Sequence, residues 1–299
     1  MTNRISKLGI GTVQFGLDYG ISNRVGKIPS KEVHNILQLA SKAGVTLLDT
    51  APQYGDSEQV LGSVLPKGHQ FQIVTKTPDF KTNKIHQENG VTLKKTFHQS
   101  LENLSMKSFY SLMIHLSDDL LTPGGEYLFE AMEKLKSNGL VEKIGVSVYS
   151  AAQIDLIMDR FSIDLIQVPV NILDQRLIQS GHLKALKQAG VEIHARSIFL
   201  QGLLLMDLDV LPAYFSSIRQ HLKEFHADCI RENISPVFVC LDFILNHPEI
   251  DRVITGVCSK KELGVILEAT MMGKLSMEYA GYAWQDESII DPSKWKTIS

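Results

Sequence analysis

Apolar, β-branched runs recur along the chain, and each gives way to apolar positions at helical spacing. Read as strands, these runs are Lys7–Phe15, Val45–Ala51, Gln72–Thr77, Phe109–His115, Lys143–Tyr149, Asp164–Val170, Glu192–Ile198 and Arg252–Val257. They are near-continuously apolar, as in Asp164–Val170 (DLIQVPV), which is the pattern of parallel strands buried on both faces. Between them the period changes. Ser30 is placed to N-cap a helix whose Val33, Ile36, Leu37 and Ala40 share one face. Gly44 follows, suited to a left-handed helix end, and Gly139 and Gly190 repeat that ending. Further helices are predicted at Ser57–Leu65, Thr92–Leu104, Glu126–Asn138, Ala151–Phe161, Gln179–Ala189, Ala213–Arg231, Pro236–Asn246 and Lys260–Met272. The segments 41–49 (SKAGVTLLD) and 187–195 (KQAGVEIHA) carry the same helix–glycine–valine–strand order, as a repeated α/β unit should.

Strands alternating with helices in this way predict an α/β fold of the (β/α)8 TIM-barrel kind, typically about 250 residues long. An open doubly wound sheet is the competitor. Its dinucleotide fingerprint is missing, because Gly9 and Gly11 are followed by Gln14 where a third glycine belongs. No Pro/Gly/Ser-rich linker divides residues 1–299, so a single domain is expected. A C-terminal tail from about residue 273 to 299 exceeds what a barrel needs and is expected near the active-site rim.

Composition narrows the function classes. The 299 residues are 44% hydrophobic and 21% charged, with 30 basic against 33 acidic residues and a net charge of −3. No basic block appears, so neither nucleic acid nor an anionic membrane is an expected partner. No apolar run approaches the ~18 residues of a membrane span. The first seven residues lack an apolar core, so no signal peptide is read and a cytoplasmic location is expected. Cys229, Cys240 and Cys258 are odd in number and widely spaced, which suits reduced, buried thiols. The histidines form no HExxH or comparable cluster, and no metal is expected. Nothing in the sequence reports the oligomeric state.

Barrel enzymes carry their chemistry where strands end and loops begin. Asp49, Lys76 and His115 stand at the ends of the second, third and fourth predicted strands, and Tyr54 follows Asp49 by five residues. Each has an ordinary alternative: Asp49 as a turn or cap residue, Lys76 as a solvated cation, His115 as a core histidine, Tyr54 as a turn aromatic. Their coincidence at three successive strand ends favours a site. A phenol of pKa near 10 is a poor acid at neutral pH, and a nearby ammonium is expected to lower it. Asp49 would hold Lys76 charged. Tyr54 would then donate a proton to a carbonyl oxygen, with His115 as a second donor beside it.

At these residues the sequence resembles the aldo-keto reductases. Leu8–Gly16 (LGIGTVQFG) resembles the family's first strand, and Asp49–Glu58 (DTAPQYGDSE) followed by Leu61 and Gly62 is the most specific segment. The resemblance implies a (β/α)8 barrel and an NAD(P)H-dependent carbonyl reduction with Asp49, Tyr54, Lys76 and His115 as the catalytic tetrad. It implies an extended dinucleotide, NADPH by family habit with NADH as the other choice. Thr12, beside Gly11, would lie near the nicotinamide ribose, Ser147 and Gln167 would hold the carboxamide, and Asp49 would also belong to the cofactor site. The loop bearing Ser197, Phe199, Gln201 and Gly202 would cover the pyrophosphate. Tyr19 and Trp284 would line the substrate pocket. A sugar-like aldehyde or ketone is the substrate class the Ala195–Gly202 segment suggests.

The departures concern details. Val148 replaces a common asparagine. Arg196 stands where many members place an aromatic ring, and it is assigned to the nicotinamide, a phosphate or a substrate anion. Glu262 replaces a common adenosine-contacting arginine, and Lys260 and Lys261 remain as candidates for a 2′-phosphate. Two other functions fit the sequence: an NADPH-binding redox-sensing subunit with weak turnover, and a Schiff-base lyase using Lys76 as nucleophile.

Overall fold

The computed structural model describes residues 4–66 and 68–295. Eight strands pair side by side into a closed barrel in sequence order. They are β1 (Leu8–Gly11), β2 (Leu47–Asp49), β3 (Gln72–Lys76), β4 (Phe109–Ile114), β5 (Val141–Ser147), β6 (Leu165–Pro169), β7 (Glu192–Arg196) and β8 (Arg252–Gly256). Every pair is parallel, including β8 with β1, which closes the ring. Among the described residues no helix is long and apolar enough to cross a membrane.

Several elements are shorter than the apolar pattern predicts, because a strand lasts only while its neighbour continues the ladder. The run Lys7–Phe15 forms a strand only over Leu8–Gly11, and Val13–Gly16 turns into a helical turn. Val45–Ala51 is trimmed to Leu47–Asp49, the three positions that pair with β1. Ser30 is the first helical residue rather than the cap, since Pro29 takes the cap position and no side chain bonds there. The helix predicted from Thr92 begins at Gln87, where the Asn89 side chain accepts from His86 N at 2.8 Å. The long helix over Ala213–Arg231 divides into a 3-10 segment to Ile218 and an α-helix from Arg219. Gly44 ends its helix at φ 89°, the left-handed conformation its sequence position implies.

Two apolar regions result. One lies between strands and helices and takes in most of the buried chain. The other fills the barrel itself and consists of Leu47, Val74, Met113, Leu165 and Ile254. A strand points alternate residues the same way, so the residue two positions on from each of these sits one tier higher on the inner face. Those residues are Asp49, Lys76, His115, Gln167 and Gly256. The apolar plug therefore sets the floor beneath a polar tier at the strand C-termini.

The C-terminal tail runs over the loop after β6 and the helix Arg219–Arg231. Trp284 N donates to Leu173 O at 2.9 Å, and the Trp284 ring packs 5.1 Å from His221 on the helix Arg219–Arg231. Trp295 docks against Phe215, with ring centroids 4.9 Å apart. The tail thus binds the outer helices and the loop after β6, and residues 296–299 lie outside the described residues. Cys229 and Cys240 are buried as expected, whereas Cys258 is half-buried.

Candidate active site

A cleft of about 840 Å³ opens above the polar tier. Asp49, Tyr54, Lys76 and His115 all line it, so the four residues singled out at three strand ends meet in one place. Lys76 Nζ lies 2.6 Å from Asp49 Oδ1 and donates to Thr50 O at 3.0 Å. Gln167 Nε2 reaches the other carboxylate oxygen, Oδ2, at 2.9 Å. Asp49 and Lys76 are 3% and 2% exposed, so this is an ion pair taken out of water. Hydrogen bonds from Gln167 to the carboxylate and from Lys76 to Thr50 O support the pair, as burial requires.

The Asp49 loop is fixed from below. Thr12 N and Oγ1 both donate to Asp49 O, at 2.9 and 3.0 Å, and Ser57 Oγ donates to Thr12 O at 2.9 Å. Gly16 makes this packing possible, because a Cβ there would stand 1.8 Å from Tyr54 O. The glycine lets the turn after β1 lie against the segment that carries Tyr54.

Tyr54 lies with its ring face 5.0 Å from Lys76 Nζ and its edge toward His115, with centroids 5.9 Å apart at 83°. Its acidity differs from the expectation. Burial is the main cause that raises its pKa above the ordinary value, Asp49 adds to the rise, and Arg196 opposes it. Lys76 does not offset burial, since its own pKa is lowered by desolvation against the pull of Asp49. The Tyr54 phenol is thus protonated at neutral pH.

His115 is pushed down to about 4, first by burial and then by the Lys76 charge, so it is neutral at ordinary pH. The Gln53 amide donates to His115 Nδ1 and to Thr77 O, both at 3.3 Å, while its oxygen accepts from Asp79 N at 2.6 Å. Nδ1 thus faces the Gln53 amide and, at 3.5 Å, the Asp79 carboxylate. Gln53 and Asp79 were not evident from the sequence. Both sit on loops, where no period marks the inward residues.

The remaining predicted positions divide. Gly11, Thr12, Tyr19, Ser147, Gln167, Arg196, Ser197, Phe199, Gln201, Gly202 and Glu262 line the cleft. Two do not. Lys260 is exposed and outside the lining, with its backbone N donating to Glu32, whereas Lys261 lines that end. Trp284 is held by the outer helices instead. Tyr149, unmarked in the sequence reading, also lines the cleft, and its ring carries the Arg196 guanidinium at 4.2 Å.

The loop after β7 crosses above the cleft. Ser197, Leu200, Gln201 and Gly202 all have positive φ, between 48° and 92°. The resulting coil brings Gln201 Nε2 to 3.1 Å from Tyr19 OH, and Ser22 Oγ donates to Gln201 O at 3.3 Å. Tyr19 is thereby part of a bridge between two loops.

Comparison with known proteins places this geometry. A model of the aldo/keto reductase family matches residues 7–282. The chain is 29% identical over 182 residues to the aldo-keto reductase YhdN of Bacillus subtilis, spanning about half of that protein (53%) and 58% of itself. It is 24% identical over 294 residues to the NADH-specific methylglyoxal reductase of Escherichia coli, covering 87% of this chain and 88% of that one. The holo form of an aldo-keto reductase from Bacillus halodurans superposes with a TM-score of 0.74 over 92% of this chain and 90% of that one, at 21% identity, a likeness of fold.

Proposed function

The chain belongs to the aldo/keto reductase family, and from that premise we propose that it reduces an aldehyde or ketone to an alcohol, with Tyr54 as proton donor. The observation that carries this reading is the cluster in one cleft of a protonated phenol, a neutral imidazole and a buried Asp49–Lys76 pair.

The donor set of the cleft fits a nicotinamide dinucleotide. Gln167 spends its NH2 on Asp49, which leaves its oxygen for the NH2 of a carboxamide, and Ser147 stands beside it on the paired strand. Gly11, Thr12 and the loop bearing Ser197, Phe199, Gln201 and Gly202 continue the groove toward Lys261 and Glu262. When bound, the dinucleotide supplies the hydride. His115 and Tyr54 O–H then orient the carbonyl oxygen, and Tyr54 transfers its proton to that oxygen as negative charge develops. Lys76 and Asp49 hold the phenol in place.

The choice of dinucleotide turns on the end near β8. Lys260 does not line the cleft, so a 2′-phosphate there meets the Lys261 ammonium and the Glu262 carboxylate, whose Oε2 accepts from Cys258 N at 2.7 Å. That balance moves the expectation from NADPH toward NADH, in line with the NADH-specific relative.

The test is calorimetric titration with NADH and NADPH, followed by turnover of small aldehydes by the protein and by Tyr54→Phe. The expected result is dinucleotide binding in both proteins, with turnover lowered about 10²–10⁴-fold or more in the variant. Retained turnover overturns the mechanism. A second reading has one observation behind it: burial lowers the proton affinity of Lys76, as an imine-forming lysine needs. Borohydride trapping of a carbonyl compound on Lys76, without NADH or NADPH oxidation, would replace the reductase reading with that one.

A further inference from the structure

The charges that line the cleft do not balance at its inner end. Asp49 and Glu262 are the carboxylates among the lining residues. Asp49 is taken up by Lys76, and Glu262 lies at the far end beside Lys261. Asp79, behind His115, pairs with Lys81 at 3.2 Å. Arg196 is left over. Its hydrogen bonds run to Val148 O at 3.0 Å from Nη2 and to Ser197 Oγ at 3.3 Å from Nη1, both neutral acceptors. A guanidinium has five N–H donors, so three remain.

The side chain is also braced. Its guanidinium lies 4.2 Å above the Tyr149 ring, and the Val148 carbonyl fixes its rotation. This is a prepared donor fork on the inner face of β7, one tier above His194, rather than a mobile surface arginine. A planar fork with spare donors matches the geometry of a carboxylate or phosphate. It stands near enough to the reacting groups for its charge to act on Tyr54, Lys76 and His115.

We propose that Arg196, braced on Tyr149, is an oxyanion receptor for the carbonyl substrate, so that the enzyme's substrates are aldehydes or ketones bearing a carboxylate or phosphate group. This rests on the reductase reading above and narrows it. The dinucleotide's own phosphate is the other source of an oxyanion. The seat of the fork on Tyr149, in the same cleft as Tyr54, Lys76 and His115, favours the substrate.

The test compares kcat/KM for two matched pairs, succinic semialdehyde against butanal and glycolaldehyde phosphate against glycolaldehyde. The wild-type protein is expected to prefer the charged member of at least one pair by about tenfold or more, the scale of a hydrogen bond to a charged group. Arg196→Gln should lose that preference, Arg196→Lys should keep part of it, and the NADH affinity should shift by less than the preference does. Equal losses on charged and neutral members overturn the proposal. So does a weakened NADH affinity with the preference intact, which assigns the fork to the dinucleotide phosphate. Calorimetry with γ-hydroxybutyrate against butanol reads the receptor without turnover. If the carboxylate binds no better than the neutral alcohol, the receptor falls even where carbonyl reduction stands. Carboxylate binding that depends on Arg196, with no aldehyde reduced, keeps the receptor and overturns the reductase reading.

Discussion

Asp49 and Lys76 hold each other inside the barrel mouth, and the pair is worth most when neither member can be removed alone. The sequence placed a carboxylate and an ammonium at adjacent strand ends. It gave no hint that Gln167 would complete the carboxylate's hydrogen bonds from β6. Breaking a buried pair leaves an uncompensated charge and costs about 3–5 kcal/mol, whereas removing both members costs much less. Asp49→Asn and Lys76→Met are each expected to destabilise the protein on that scale in urea denaturation, and the double variant by clearly less than their sum. Additive losses would show that the two side chains are not coupled. The single-residue expectation that failed concerns Tyr54. An ammonium in the neighbourhood was expected to acidify the phenol, yet burial raises its pKa, because Lys76 is desolvated with it and matched to Asp49.

At the level of elements, the register between β5 and β6 decides whether Ser147 and Gln167 stand side by side. Gly145 controls that register. A Cβ there would stand 2.2 Å from Leu165 O, a backbone atom that cannot swing aside. Gly145→Ala is expected to cost about 1–3 kcal/mol, the range for forced overpacking, and to weaken NADH binding by displacing both polar residues. Gly264 is the contrast. It lies within the helix Lys260–Met271 with nothing within 4 Å of an added Cβ. Gly264→Ala should stabilise by about 0.4–1 kcal/mol. Thermal melts of the two variants check the pair, and shifts in the same direction would contradict the packing argument. The strands themselves were legible from their apolar runs, but their ends were not. An apolar residue beyond the ladder, such as Val45 or Phe15, is buried by helices and looks the same in sequence as one inside a strand.

Across the whole molecule, buried imidazoles tie stability to pH. Burial lowers the pKa of His115 to about 4, and it lowers His69 and His247 as well, from an ordinary value of 6.5. The unfolded chain takes up protons below 6.5 that the folded chain refuses. Stability is therefore full above that value and is lost as pH falls from 6.5 toward about 4. Melting temperatures measured across this window should decline. His115→Asn should decline less steeply than the wild type, and an identical slope would show that His115 protonates alike in the folded and unfolded chain.

From sequence alone the barrel follows, and so does the meeting of Asp49, Lys76 and His115 at its mouth, for one physical reason. A parallel barrel strand is an apolar run with a fixed period of two, so polar residues that interrupt its end must face the mouth. Asp49, Lys76, His115 and Gln167 each follow an inward residue of that kind. Tertiary structure alone decided which loop residues join them. Trp284 packs on His221, the Lys260 backbone N bonds Glu32, and Tyr149 lies beneath Arg196. Loops have no period, so where their side chains point is set by the contacts they meet across the fold, and those contacts exist only once the barrel has closed.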